Sequence, residues 1–146
     1  MTKFTKSIEV PAPAEEIFNV IDDPNNLSRI WRNLSNIRNQ RRLPNGGIRF
    51  EFDYSMAGIT MKGTSTDIEH IFPTRIVTRT TGGITSTLTF NFRPIIGKST
   101  RVDVTVEYEV PVPLVGKMAE IVIAKINESD IVYVLNYLML KFTTRS

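Results

Sequence analysis

The 146-residue chain carries one histidine, His70, and no cysteine. His70 is the only side chain whose ordinary pKa lies near neutrality. With Asp67 or Glu69 it forms the one acid–base pair the sequence offers for proton transfer. Against that use, His70 stands between Glu69 and Ile71 at the end of a strand-like run, beside Phe72-Pro73, where a solvent-facing histidine is the simpler reading. Asp67 and Glu69 are two apart, hence on one face of a strand, and carboxylates exposed on a sheet are the commoner explanation of such a pair. Asp53 and Asp103 alternate with apolar neighbours and are expected to face water. Gly46-Gly47 and Gly82-Gly83 read as turns rather than phosphate cradles. No Ser-His-Asp order and no metal-ligand cluster can be assembled, so no catalytic residue, metal or cofactor is assigned. The lack of cysteine excludes disulfides, zinc–thiolate sites and thiol catalysis.

The remaining charge is distributed unevenly. Net charge is +3, with 41% hydrophobic and 23% charged residues, ordinary values for a globular protein. From Pro24 to Phe50 there is no acidic residue, while Arg29, Arg32, Arg38, Arg41, Arg42 and Arg49 all fall there. Such a stretch can attract an anionic partner, and equally can be a solvated basic face. Aromatic residues interleaved with the arginines would favour nucleic acid, and only Trp31 qualifies. No apolar run reaches the length of a membrane span, and the first residues enter an alternating strand without a signal-peptide core. The expected location is cytoplasmic. The length suits one domain, residues 1–146.

The elements that must hold these residues follow from periodicity. Phe4, Ile8 and Val10 share a face of a first strand, which Pro11-Ala12-Pro13 stops. Pro13 can open a short helix with Glu15 and Glu16 in its first turn and Ile17, Phe18 and Ile21 on one face. Asp22-Asp23-Pro24 ends that helix and offers Asp23 as cap for a second, with Leu27, Ile30 and Trp31 as its buried side. Strand signals then recur at hairpin spacing. A weak strand runs near Ser35 to Leu43. Ile48 to Met56 alternates cleanly, and Ile59 to Phe72 slips phase between Met61 and Ile68, with Gly63 in the slip, which suggests a bulge or sharp bend there. Arg75 to Thr81, then Ile84 to Phe92, and finally Val102 to Val110 follow. The terminal segment from Leu114 to Phe142 contains no proline. As a helix it would be roughly 43 Å long, enough to cross a whole sheet. Its apolar stripe reads Leu114, Met118, Ile121, Val122, Val132, Leu135, Met139 and Phe142.

This order (strand, two short helices, six antiparallel strands, long terminal helix) resembles the helix-grip fold of the START-like superfamily, also called SRPBCC or polyketide cyclase/dehydrase-like. The resemblance covers nearly the whole chain. It is carried by Ile8-Glu9-Val10-Pro11-Ala12-Pro13-Ala14-Glu15-Glu16-Ile17-Phe18, by Asp22-Asp23-Pro24 to Trp31, and by Tyr108 to Lys117 leading into the helix. It implies an α+β fold in which a curved antiparallel sheet of about seven strands wraps around the long C-terminal helix. The superfamily includes lipid carriers, hormone receptors, aromatic cyclases and co-chaperones, so fold alone does not assign chemistry.

The resemblance further implies a cavity between the concave sheet face and the helix. The residues expected to line it for ligand binding are Phe50, Phe52, Tyr54 and Met56 from one strand, and Leu88 and Phe90 from another. Val104, Val106 and Tyr108 are expected from the last strand, and Met118, Val122 and Met139 from the helix. Tyr54 and Tyr108 can orient a ligand by hydrogen bonding. The functional expectation is binding of a hydrophobic or amphipathic small molecule such as a lipid, isoprenoid or quinone, without catalysis. The alternatives are a cyclase or dehydratase using His70 with Asp67 or Glu69, and an adaptor whose anionic partner meets Arg29, Arg32, Arg38, Arg41 and Arg42.

Overall fold

The computed structural model describes residues 2–56, 58–82, 84–109 and 117–143, without the side chains of residues 56, 59 and 117–123. Strand β1 (Thr2–Val10) is followed by helix α1 (Ala14–Asp22), a 3-10 turn (Pro24–Asn26) and helix α2 (Leu27–Ile30). Six strands succeed one another: β2 (Leu34–Arg42), β3 (Ile48–Met56), β4 (Ile59–Ile71), β5 (Arg75–Thr81), β6 (Thr85–Ile95) and β7 (Ser99–Glu109). Helix α3 (Lys117–Thr143) comes last. The strands form one seven-stranded antiparallel sheet in the order β1-β7-β6-β5-β4-β3-β2. This is the α+β helix-grip arrangement. Leu114, at the start of the expected stripe, lies outside the described residues.

Local chemistry explains the entry segment. Pro13 caps α1 in extended geometry, and Glu15 and Glu16 occupy its first turn, where the dipole favours negative charge. The Asp23 carboxylate accepts from the Asn25 backbone N–H at 2.9 Å, satisfying an otherwise free donor of the next turn. Ala14, Ile17 and Phe18 bury one face of α1. The Phe18 ring meets Phe92 edge-on at 5.5 Å between centroids.

Three expectations change. First, β3 and β4 pair regularly through Phe52 and Gly63. The bulge lies five residues on, where Ile68 stands between Asp67, paired with Thr78, and Glu69, paired with Val77. Gly63 is required for another reason: a Cβ there would sit 2.7 Å from Cζ of Phe52. Second, α3 buries Ile131, Val134, Leu135, Leu138 and Phe142, while Val132 is 42% exposed and Met139 is half-buried. Neighbouring helical residues point about 100° apart, so in a segment with Ile131, Val132 and Val134 periodicity alone left the buried face ambiguous by one residue. Third, the weak strand expected near Ser35 to Leu43 forms as β2 but is irregular. Asn36 and Asn39 have positive φ, 49° and 55°, among the register shifts of the β2–β3 pairing, a conformation asparagine tolerates better than most residues.

The core divides in two. The larger cluster joins α1, the middle of the sheet and α3 through Phe18, Phe90, Phe92, Val102, Val104, Val134 and Leu138. The smaller one gathers Leu27, Ile48, Phe50 and Phe52, with Trp31, Leu34 and Tyr54 against it. The gap between them is the candidate site.

Candidate ligand cavity

Cross-strand registration determines what reaches that gap. Residues paired across a sheet point to the same face. One inner row therefore runs Phe50, Ser65, Thr80, Ser86, Tyr108 from β3 to β7. The next runs Asp67, Thr78, Leu88, Val106. The third is His70, Ile76, Phe90, Val104. The first two rows, with Ile76 and Phe90 of the third, wall a cavity of about 170 Å³. Trp31, Leu34, Phe52, Tyr54 and Met61 add to its walls, Ile21, Asp22 and Leu27 line it from the entry helices, and α3 contributes Asn127, Asp130 and Ile131.

Of the residues expected at the cavity, Phe50, Phe52, Tyr54, Leu88, Phe90, Val106 and Tyr108 stand on its wall. Val104 does not: it is fully buried in the larger cluster, one row beyond the point where Phe90 closes the space. Met139 also lies off the wall, since α3 turns Leu138 inward instead. The side chains of Met56, Met118 and Val122 fall outside the described residues.

One polar end is built where β3 meets α3. The Tyr54 hydroxyl donates to Oδ2 of Asp130 at 2.6 Å, and Asn33 Nδ2 donates to Oδ1 at 2.7 Å. Arg32 Nε lies 3.6 Å from the same oxygen. Asp130 is only 7% exposed, so these partners are what make its burial tolerable. Burial and the Asp130 hydrogen bond push the Tyr54 pKa well up, keeping the hydroxyl protonated as the donor. One turn earlier on α3, Asn127 Nδ2 is buried with no hydrogen-bond partner.

The other polar end lies six residues back along β3, roughly 20 Å away along the strand. Asp67 is 9% exposed and accepts from the Ile48 backbone N–H at 2.9 Å and from the Thr78 hydroxyl at 2.7 Å. Burial raises its pKa, outweighing both hydrogen bonds, and the nearby Asp22 charge adds to the rise. Asp22 Oδ1 lies 3.0 Å from His70 Nε2, and Arg42 Nη1 is 3.2 Å from the same carboxylate. The His70 ring packs edge-on against Phe18, with centroids 5.1 Å apart.

These positions correct the solvent-facing readings of Asp67 and His70. The extra residue at Ile68 rotates the strand, so Asp67 and His70, three apart, both face inward. Glu69 turns outward to Arg75, 3.2 Å away, so the Asp67–Glu69 pair does not share a face. Asp22 was missed because it reads as a helix terminus. Ser65, Thr78 and Thr80 were missed because small polar residues in strands read as outer-face residues. Ser86 had a usable signal, since it shares phase with Leu88 and Phe90.

The outer sheet face keeps Asp53 with Arg38 at 3.1 Å and Asp103 with Arg93 at 2.8 Å. Within the basic stretch, Arg32, Arg38 and Arg42 are thus all engaged by carboxylates. Among the described residues no group of three or more His, Asp or Glu side chains is arranged to hold a metal ion. Nor is any helix there long and apolar enough to cross a membrane.

A helix-grip sheet with a cavity under its long helix defines a class. The chain belongs to the polyketide cyclase/dehydrase and lipid transport family, which matches residues 1–136. Membership points to hydrophobic-ligand binding without specifying a ligand. No curated protein matches the chain. Among solved structures it is similar to TTHA0849 from Thermus thermophilus, at 18% identity over 99% of each chain and a TM-score of 0.82. It is also similar to the Zhui aromatase/cyclase from Streptomyces sp. R1128, at 16% identity over 99% of this chain and 94% of that one, TM-score 0.81. A START superfamily protein from Mycobacterium smegmatis matches at 18% identity over 93% and 96%, TM-score 0.74. At these identities the likeness concerns the fold.

Proposed function

We propose that the chain binds a compact amphipathic molecule of about one ring in this cavity and carries it without transforming it. The observation that supports this most is the space of about 170 Å³ between two apolar clusters, walled by Trp31, Phe50, Phe52, Phe90 and Tyr108. A dry cavity of about 150 Å³ accommodates benzene, whereas drug-sized ligand pockets start near 300 Å³. The volume therefore favours a ring or the head of a longer molecule over a whole lipid. Apolar burial would supply the affinity, at about 25 cal/mol per Å² before ordering costs, and one polar end would orient the ligand.

Trp31 is the only tryptophan in the chain and lies on the cavity wall, so its emission reports occupancy. Titration with phenylethyl alcohol should change that emission saturably. A response that grows linearly, without saturation, would contradict the binding reading.

A second reading, a cyclase or dehydratase, is favoured by Asp22 on the wall with His70 bonded behind it. That arrangement can take and return a proton at the cavity surface. It predicts that the protein accelerates intramolecular aldol cyclisation of a small diketone and that His70→Gln removes the acceleration. A wild-type rate equal to the buffer rate would dismiss it.

A further inference from the structure

The ionisable residues on the described cavity wall, tyrosines aside, are Asp22, Asp67 and Asp130; no lysine, arginine or histidine is among them. Two of the three carboxylates have a guanidinium behind them: Arg42 for Asp22 and Arg32 for Asp130. Asp67 differs. Its hydrogen-bond partners are uncharged, the Ile48 N–H and the Thr78 hydroxyl. A carboxylate offers about four acceptor positions, so each Asp67 oxygen retains one after those bonds. The same wall carries Trp31, Phe50 and Phe52, whose ring faces attract cations.

We propose that the cavity selects a cation: a ring-sized molecule bearing a protonated amine, with Asp67 as its counter-charge and the aromatic wall holding its ring. This rests on the reading that the cavity binds a small molecule, and it names the ligand's charge. A carboxylate ligand would meet the Asp67 carboxylate with no basic side chain on the described wall to receive it. A buried carboxylate lacking a cation is costly, and an incoming ammonium removes that cost while giving up its own hydration. A neutral alcohol gains only a hydrogen bond.

The test is a matched series sharing one ring and one linker: phenethylamine, phenylethyl alcohol and phenylacetate, each titrated at neutral pH against Trp31 emission. The amine should bind about tenfold or more tighter than the alcohol, and phenylacetate should bind most weakly. In Asp67→Asn the amine should lose its advantage over the alcohol. The wild-type series stands alone if that variant fails to fold. Equal affinity for amine and alcohol, or tightest binding of phenylacetate, overturns the cation assignment and leaves small-molecule binding intact. Absence of any response to all three defeats the binding reading itself.

Discussion

The Tyr54 hydroxyl on β3 and the Asp130 carboxylate on α3 meet at 2.6 Å across the cavity wall. Seventy-six residues separate them in the chain, so this contact ties the sheet to the helix.

Tyr54→Phe removes one of the groups that solvate a buried carboxylate. Loss of a hydrogen bond to a charged group costs about 1.5–3 kcal/mol, so chemical denaturation should show a stability loss in that range. An unchanged midpoint would mean that Asn33 and Arg32 suffice to hold Asp130.

Gly63→Ala should destabilise through overpacking, by about 1–3 kcal/mol. The new methyl would sit 2.7 Å from the Phe52 ring and 3.0 Å from the Thr81 carbonyl oxygen. Phe52→Leu in the same chain should recover part of the loss. A neutral Gly63→Ala would show that the β3–β4 pairing yields more easily than the register implies.

The face of α3 is tested by paired substitutions. Val134 is fully buried and Val132 is 42% exposed. Val134→Ala should cost about 1–3 kcal/mol, and Val132→Ala should stay within about 0.5 kcal/mol. Equal losses would place the buried stripe between them.

Two carboxylates make opposite contributions to pH dependence. The Asp67 pKa is raised above 3.8, chiefly by burial. The folded state therefore holds its proton more tightly than the unfolded state, and stability from this site falls as pH rises through the window above 3.8. Burial opposes ionisation of Asp103 as well, but its hydrogen bonds with Ser7, Arg101 and Arg93 prevail and lower its pKa below 3.8. Its contribution is present above 3.8 and is lost as pH falls through the lowered value. Denaturation midpoints of Asp67→Asn against wild type should converge as pH drops from neutrality towards 3.8. Parallel curves across that range would contradict the assignment.

The extent to which the sequence foretold this arrangement varies by element. Val102, Val104, Val106 and Tyr108 alternate without interruption, so β7 and its inner face followed directly from the pattern. The entry helices were legible because Pro13, Glu15, Glu16 and Asp23 act locally, within a turn of where they stand. The polar ends of the cavity were not legible, because each depends on long-range registration. The inward turn of His70 comes from one extra residue at Ile68, which the phase slip signalled but did not place. Asn33 and Asp130 look like loop and helix-surface residues until Tyr54 brings them together. The basic stretch suggested a surface for anions, yet three of its arginines neutralise carboxylates, two of them on the cavity wall.

The central claim is that the space beside Leu88 is where a ligand sits. The most direct measurement is calorimetric titration of phenylethyl alcohol into wild type and into Leu88→Trp, which fills the cavity. Saturable heat in wild type, absent from a folded Leu88→Trp, is the predicted result. Equal heats in the two proteins would place binding elsewhere and contradict the account.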